Sequence, residues 1–355
     1  MIPARRVVLG CVVACSAVSA LVPARPAAAL PGPGAGAVET GAVELIDRAR
    51  EAAETQAFDG VVTVEWRDGR TQHSDQVPVH SAGGVLRFGD EVVGAGARRM
   101  IRSTDGWLSL WGHDVAALGP SPTAKYRLAV EPGPDVAARP TDLVLVQLVG
   151  ADRLRERLYI DRQSGLLLRR EILDSRGEPY RSVAFTSITG GAGSPTGGEA
   201  AATTNTAVIT PTHSQEPAPA RHLAAPYKLK SRIGTGYRLV GAYKARANVV
   251  QQFFSDGLHG LSVFEQPGHL GTAETSLAGK SGSGREVEIS GHTMRAYSSS
   301  VGEAVVWESD GMVYTAVTDA PWIDLAGAVR DLPHADPPGR LRRVAQAVVS
   351  LFRWR

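Results

Sequence analysis

Apolar and polar residues alternate with a period of two along most of the chain. In an early segment of this kind, Val62, Val64 and Trp66 alternate with Thr63 and Glu65. A period of two is typical of a β-strand with one buried and one exposed face. Asp-Gly and Gly-Gly pairs interrupt the alternation at short intervals, which is typical of hairpin turns. The pattern therefore predicts long antiparallel meanders, of the kind that form sandwiches or open barrels.

The period changes in one segment that precedes the first strand. Ala42, Leu45, Ile46, Ala49 and Ala53 recur at the spacing of one helix face, and charged residues hold most of the other positions. This pattern predicts an amphipathic helix that needs an apolar surface to cover. We expect the sheet to curl around it. The fold class predicted for residues 41–189 is mainly β with helices (α+β): a half-open antiparallel β-barrel around a helix.

A smaller domain is predicted after a change in composition. Residues 190–225 are rich in Gly, Ala, Thr, Pro and Ser, lack aromatic residues and show no period, so we predict a disordered linker. Residues 226–355 contain further strands, with turns at Ser255-Asp256-Gly257 and Asp310-Gly311. Short helices are predicted near the end, over residues 324–331 and 341–352. This order predicts a small α+β domain.

The N-terminus has the composition of a secretory signal peptide. Arg5 and Arg6 precede an apolar run over residues 7–22, and Ala27-Ala28-Ala29 offers a cleavage site. We predict a signal peptide over residues 1–29 that is removed after its last alanine. The protein is then exported to the periplasm or to the outside of the cell envelope.

A flexible leader is predicted over residues 30–40, and an alternative processing site precedes it. The residues before Cys15 resemble a lipobox, in which case Cys15 would carry a lipid and become the mature N-terminus. The other cysteine, Cys11, also lies in the signal segment. The mature chain therefore has no disulfide and must fold on its apolar core.

The charge balance excludes one class of partner. The whole chain has a net charge of +2, and the mature chain has a net charge of −1 because the signal segment contains three arginines. A nucleic-acid partner would need a basic face, so none is expected. The mature chain has no second apolar run of the length of a membrane helix, so no transmembrane segment is predicted there.

The titratable residues show no catalytic or metal-binding pattern. The nine histidines are scattered, without the spacing of a zinc site. His113-Asp114 is an isolated pair without a nearby nucleophile, and Gly279-Lys280-Ser281 lacks the first glycine of a phosphate-binding loop. We predict no metal, no cofactor and no enzymatic activity.

One apolar face of the first domain is a candidate lipid-binding cavity. A curled sheet with a helix across it can hold an acyl chain, because each buried CH₂ contributes roughly 0.8 kcal/mol. The alternative is that the same residues are plain core beneath the helix. The candidate cavity residues are Leu45, Ile46, Val62, Val64, Trp66, Trp107 and Trp111.

Two stretches of the chain resemble the RseB/MucB family of sigma-factor regulatory proteins. The first runs from Arg157 to Gly177 and on to Phe185, with a strand, a turn, a second strand, an Asp-x-x-Gly hairpin and a strand that holds Phe. The second combines Gly236-Tyr237 with the segment from Phe254 to Phe264. The order of these features, rather than any single motif, carries the resemblance.

The resemblance implies a fold and a function. The large domain would resemble the lipoprotein carriers LolA and LolB, an unclosed barrel with an apolar cavity around a helix. Members of the family bind the extracytoplasmic part of a membrane anti-sigma factor and shield it from proteolysis until a lipid displaces them. We therefore expect a regulator of the envelope stress response that binds an anti-sigma factor and senses a lipid or amphiphile.

The alternative function is an extracytoplasmic lipid or lipoprotein carrier, or a chaperone, without a signalling partner. The chain departs from the family in its long leader, its long linker and the small, basic residues 96–99. The identity of the partner and of the ligand therefore stays open.

Overall fold

A computed structural model describes residues 36–82, 85–88, 91–93, 120–191, 227–246, 249–270, 284–299 and 302–334. Several predicted features lie outside these residues. They are the signal peptide with Cys15, Trp107, Trp111, the His113-Asp114 pair, almost all of the linker, the Gly279-Lys280-Ser281 segment and the helix over residues 341–352.

The amphipathic helix α1 spans Gly36–Thr55. It begins inside the segment that we predicted as a leader. None of Ala37, Val38 and Glu39 is a helix-breaking residue, and the acidic Glu39 suits the first turn of a helix. The face predicted to be apolar is the buried one. Its fully buried positions are mostly alanines, which let the helix approach the sheet closely: Ala42, Ile46, Ala49, Ala52 and Ala53.

Nine antiparallel strands form the first sheet, in the order β4-β3-β2-β1-β9-β8-β7-β6-β5. The chain builds it as a meander whose first and last strands, β1 and β9, pair in the middle. The strands are β1 Phe58–Asp68, β2 Thr71–Ala82, β3 Val85–Phe88, β4 Glu91–Val93, β5 Tyr126–Pro132, β6 Thr141–Leu148, β7 Leu154–Asp161, β8 Leu167–Leu173 and β9 Pro179–Gly190.

The first sheet curves around α1. A single apolar cluster contains the helix and inward residues of every strand from β2 across to β5. Seven flat strands would span about 29 Å at their usual spacing of about 4.8 Å, whereas a helix with its side chains is only about 10 to 12 Å wide. The two end strands, β4 and β5, do not pair with each other among the described residues. The predicted mainly-β fold with a sheet around one helix is confirmed, without a closed barrel.

Eight antiparallel strands form the second sheet, in the order β10-β11-β12-β13-β17-β16-β15-β14. Helix α2, Trp322–Arg330, buries Leu325, Ala326, Ala328 and Val329 in the core of this sheet, so the predicted α+β unit is confirmed. The strands are β10 Arg232–Ile233, β11 Tyr237–Arg246, β12 Val249–Ser255, β13 Gly260–Pro267, β14 Arg285–Ile289, β15 His292–Ser299, β16 Gly302–Ser309 and β17 Met312–Thr318.

We call the described residues between 36 and 191 the large lobe and those between 227 and 334 the small lobe. Each lobe has its own apolar cluster. No helix among the described residues is long and apolar enough to span a membrane.

Candidate functional site at the junction of the lobes

Buried and partly buried polar side chains, all but one of them charged, link the two lobes. We call this set the junction. The large lobe contributes Lys125, Tyr126, Arg155, Glu156, Arg170 and Arg181, and the small lobe contributes Asp256, His259, Glu303, Asp319 and Asp324.

Asp256 is the centre of one half of the junction. It lies in the turn between β12 and β13, and its carboxylate accepts hydrogen bonds from Lys125 Nζ at 2.5 Å and from the Tyr126 hydroxyl at 2.7 Å. Its second oxygen accepts the backbone N–H groups of Leu258 and His259, which shapes the turn. Burial would raise the pKa of Asp256, but His259 and Lys125 outweigh burial and hold this pKa well below its ordinary value. The carboxylate is therefore charged.

His259 links Asp256 to the large lobe. Its Nε2 forms an ion pair with Glu156, and its Nδ1 lies 3.1 Å from the Tyr126 hydroxyl. Burial lowers the pKa of His259, but the carboxylates of Glu156 and Asp256 raise it to about 10. An imidazolium carries a hydrogen on both nitrogens, so the Nδ1–H of His259 donates to the Tyr126 oxygen, and the Tyr126 hydroxyl donates in turn to Asp256.

Arg170 connects the other half. Its Nε donates to Glu156 at 3.0 Å and its Nη1 donates to Asp319 at 2.6 Å. Burial would raise the pKa of Glu156, but Arg170 and His259 lower it to about 2. At Asp319 burial has a larger effect than Arg170 and His259, so the pKa of Asp319 is raised. Glu156 thus bridges a cation of each lobe, and Arg170 crosses from the large lobe to a carboxylate of the small lobe.

Two further ion pairs lie around this centre. Arg155 Nη2 donates to Asp324 at 2.6 Å, and Arg181 Nη2 donates to Glu303 at 3.3 Å. Asp324 lies in the first turn of α2, where the helix dipole favours a carboxylate. These pairs extend the contact from the β12–β13 turn to the start of α2 and to β16.

The charges of the two lobes are complementary. The large lobe presents four cations and one carboxylate at the junction, and the small lobe presents four carboxylates and one imidazolium. Taking such groups out of water is costly, and their mutual attraction offsets the cost only when the geometry is right. The complementary charges therefore favour this one arrangement of the lobes.

The side chains at the centre of the junction are of the types that form an acid–base relay, but they are not accessible to a substrate. His259, Glu156 and Asp256 are all 0% exposed, and each is paired with an opposite charge. A catalytic base must reach a substrate proton directly or through one water molecule. Within the described residues, no group of three or more His, Cys, Asp or Glu could hold a metal ion. The arrangement supports docking of the lobes rather than chemistry.

The predicted cavity residues lie elsewhere, in the core of the large lobe. Ile46, Val62 and Val64 are fully buried there, and Leu45 and Trp66 pack against them partly exposed. Trp66 also stacks on a neighbour in β2, His73, at a centroid distance of 5.1 Å. Helix and sheet thus bring together five of the seven predicted residues. Trp107 and Trp111 lie outside the described residues, and lipid binding by this set stays a prediction.

Sequence reasoning missed every residue of the junction. One clue was present, because Glu156 and Arg170 occupy inward positions between apolar residues of β7 and β8. A charge at such a position needs a partner. The partners of Arg170 include Asp319, 149 residues away along the chain, which no spacing rule could have identified.

The comparison with known families gives one match. Residues 83–207 match the model of the MucB/RseB N-terminal domain. The resemblance to the MucB/RseB family is confirmed. The matched stretch covers most of the large lobe's meander and runs beyond the described end of β9 into the predicted linker. No curated protein is significantly similar to the chain.

Several solved structures are similar to the chain. A crystal structure of MucB has 18% identity and a TM-score of 0.44, covering 82% of this chain and 96% of that one. A Pseudomonas aeruginosa MucA/MucB complex has 16% identity and a TM-score of 0.41, covering 81% and 96%. A LolA superfamily protein from Nitrosomonas europaea has 6% identity and a TM-score of 0.19, covering 78% and 90%.

Proposed function

We propose that this protein is an extracytoplasmic regulator of sigma-factor signalling. It binds the extracytoplasmic part of a single-span membrane anti-sigma factor and senses a lipid or amphiphile in the apolar interior of its large lobe. The observation that carries this proposal is the match of residues 83–207 to the MucB/RseB N-terminal domain. The signal peptide predicted over residues 1–29 supports the location.

The proposal assigns different tasks to the two parts of the molecule. The interior of the large lobe, formed by α1 and the curved sheet, is apolar and suits an acyl chain. The junction sets the angle between the lobes and thereby the shape of any surface that both lobes present to a partner. A known complex of this kind is that of MucB with the periplasmic part of MucA, and we extend its partner class to this chain.

Binding to an anti-sigma factor is the direct test. The mature protein, residues 30–355, is titrated by calorimetry with the extracytoplasmic fragment of a single-span anti-sigma factor from the same genome. We expect saturable binding with a Kd of about 1 μM or tighter. Absence of binding to every such fragment, with acyl chains that co-purify with the protein, would instead identify a lipid carrier.

A substitution in the large lobe separates lipid sensing from partner binding. Trp66→Asp places a charge beside the apolar interior, so we expect loss of dansyl-undecanoate binding with little change in the Kd for the anti-sigma fragment. Gln72→Asp is the matched control, because it adds the same charge at an exposed position on the other face of the β1–β2 hairpin. Unchanged uptake of the probe by Trp66→Asp would show that the cavity assignment is wrong.

A further inference from the structure

The turn between β12 and β13 is buried, although hairpin turns are normally exposed. Residues 256–259 belong to the small lobe, yet Asp256 and His259 are 0% exposed and Leu258 is 2% exposed. Leu258 packs in the apolar cluster of the large lobe and is the one small-lobe residue in that cluster. The small lobe therefore inserts this turn into the interior of the large lobe.

The large lobe fits this turn closely. Arg50 of α1 donates from Nη2 to the Gly257 carbonyl at 2.6 Å, and Tyr126 and Lys125 bind the Asp256 carboxylate. Gly257 has φ +95°, and a Cβ there would lie 2.5 Å from the Pro120 carbonyl oxygen. Only glycine allows this approach. The contact is thus a built site and not an incidental touch between the lobes.

The chemistry of the turn is that of an anionic amphiphile. An apolar side chain, that of Leu258, enters the core of the large lobe, and the carboxylate of Asp256 pairs with Lys125 of that lobe. Further carboxylates of the small lobe neutralise Arg170 and Arg155. If the small lobe withdrew, the same place would offer an apolar socket edged by four cations and one carboxylate, Glu156. Such a net positive rim suits a single alkyl chain with a carboxylate or phosphate head.

We propose that residues 256–259 are a built-in competitor, which occupies in the closed molecule the position where an anionic amphiphile enters the large lobe. Ligand binding and docking of the turn exclude each other, so the ligand acts by separating the lobes. The inference rests on the proposed function and specifies the ligand class and the site of its sensing step. The apparent affinity for the ligand is reduced by the fraction of molecules in the closed state.

Removing the apolar head of the competitor tests the proposal. Dansyl-undecanoate, a single-chain carboxylate, is titrated into the full mature protein and followed by fluorescence. We expect Leu258→Ala to bind the probe about tenfold more tightly than the unmodified protein, because the closed state loses part of its core contact. Leu332→Ala is the control, since it makes the same change in the core of the small lobe. It should leave the affinity within about twofold.

A second variant removes the dependence on one substitution. Gly257→Ala should also tighten probe binding, because the added Cβ meets the Pro120 backbone and forces the turn out. Gly311→Ala is its control, with a similar positive φ and no atom within 4 Å of the added Cβ. Circular dichroism verifies that each variant keeps its β-structure.

Two further measurements test the charge and the motion. The methyl ester of the probe should bind more weakly than the carboxylate, since it cannot pair with Lys125 and Arg170. Small-angle X-ray scattering should show a larger radius of gyration when the unmodified protein is saturated with the probe. Equal affinity for both probes, or an unchanged radius, would overturn the proposal.

The outcomes also separate this inference from the proposed function. If Leu258→Ala and Gly257→Ala bind the probe no more tightly than their controls, or if no variant binds it, the built-in competitor is refuted. The binding of an anti-sigma factor is then tested separately by the titration with the anti-sigma fragment, which does not use the probe, and the Trp66→Asp comparison tests lipid sensing by the large lobe.

Discussion

The two hairpins of the small lobe that turn on Ser-Asp-Gly have the same local sequence and opposite environments. Ser309-Asp310-Gly311 joins β16 to β17, and the Asp310 side chain is 66% exposed. Ser255-Asp256-Gly257 begins the turn from β12 to β13, and the Asp256 side chain is 0% exposed and paired with Lys125. The tripeptide alone therefore indicates a turn, and the other lobe decides whether that turn is a surface feature or part of a site.

The geometry of the two turns differs as well. Asp310 and Gly311 both have positive φ, 52° and 73°, which is the arrangement of a two-residue hairpin turn. In the other turn Asp256 bonds the N–H groups of Leu258 and His259, so four residues separate the strands. The four-residue turn is the one that places Leu258 in the apolar cluster of the large lobe.

The largest expected contrast is between the two aspartates. Asp256→Asn leaves Lys125 buried without its nearest carboxylate and leaves His259 with Glu156 alone, so we expect the free energy of unfolding to fall by about 3 to 5 kcal/mol. Asp310→Asn changes an exposed residue and should alter it by less than about 0.5 kcal/mol. Urea denaturation of both variants measures the difference. Similar losses in the two variants would contradict the role assigned to the junction.

The free energy of unfolding should depend on pH through the titration of His259. Its pKa is raised from 6.5 to about 10 in the folded protein, so its contribution to stability is complete below about pH 6.5 and is lost as the pH rises through about 10. Between these values the free energy of unfolding should fall by on the order of 1 kcal/mol per pH unit at most.

The control for this dependence is His259→Gln, measured by urea denaturation across the same alkaline range. The variant lacks the titrating imidazole, so its stability should be lower throughout and flatter with pH. An equally steep alkaline decline in the variant would assign the effect to another group.

Glu156 should affect stability in the acidic range. Its pKa of about 2 makes its contribution to the free energy of unfolding present above about pH 4.5 and lost as the pH falls through about 2.

The smallest contrast is between the two serines. The Ser255 hydroxyl accepts the Gly257 N–H at 3.0 Å, so Ser255→Ala should cost about 1 kcal/mol of the free energy of unfolding. The buried Ser309 hydroxyl has no hydrogen-bond partner among the described residues, so Ser309→Ala should be neutral or slightly stabilising. Thermal unfolding of both variants measures the difference. A larger loss of stability in Ser309→Ala than in Ser255→Ala would contradict this comparison.

Local pattern was sufficient for the elements and for most of the fold. Helix α1 was predicted from the spacing of Ala42, Ile46 and Ala49, and the hairpins from Asp-Gly pairs between alternating strands. These features depend on residues a few positions apart, so the spacing of apolar residues along the sequence is enough to predict them. The curvature of the first sheet followed from the need to cover one helix. Five of the seven predicted cavity residues were likewise brought together, because they share one inward face of α1 and β1.

The junction depended on tertiary structure alone. Lys125 and Asp256 are 131 positions apart, and neither the charge of one nor the turn of the other indicates the partner. A buried ion pair forms only where two folded surfaces place opposite charges within bonding distance and exclude water. The sequence by itself thus determined two apolar cores and their strands. Which turn became a surface loop and which became the contact between the lobes was decided by packing, because burial and charge pairing exist only after the lobes meet.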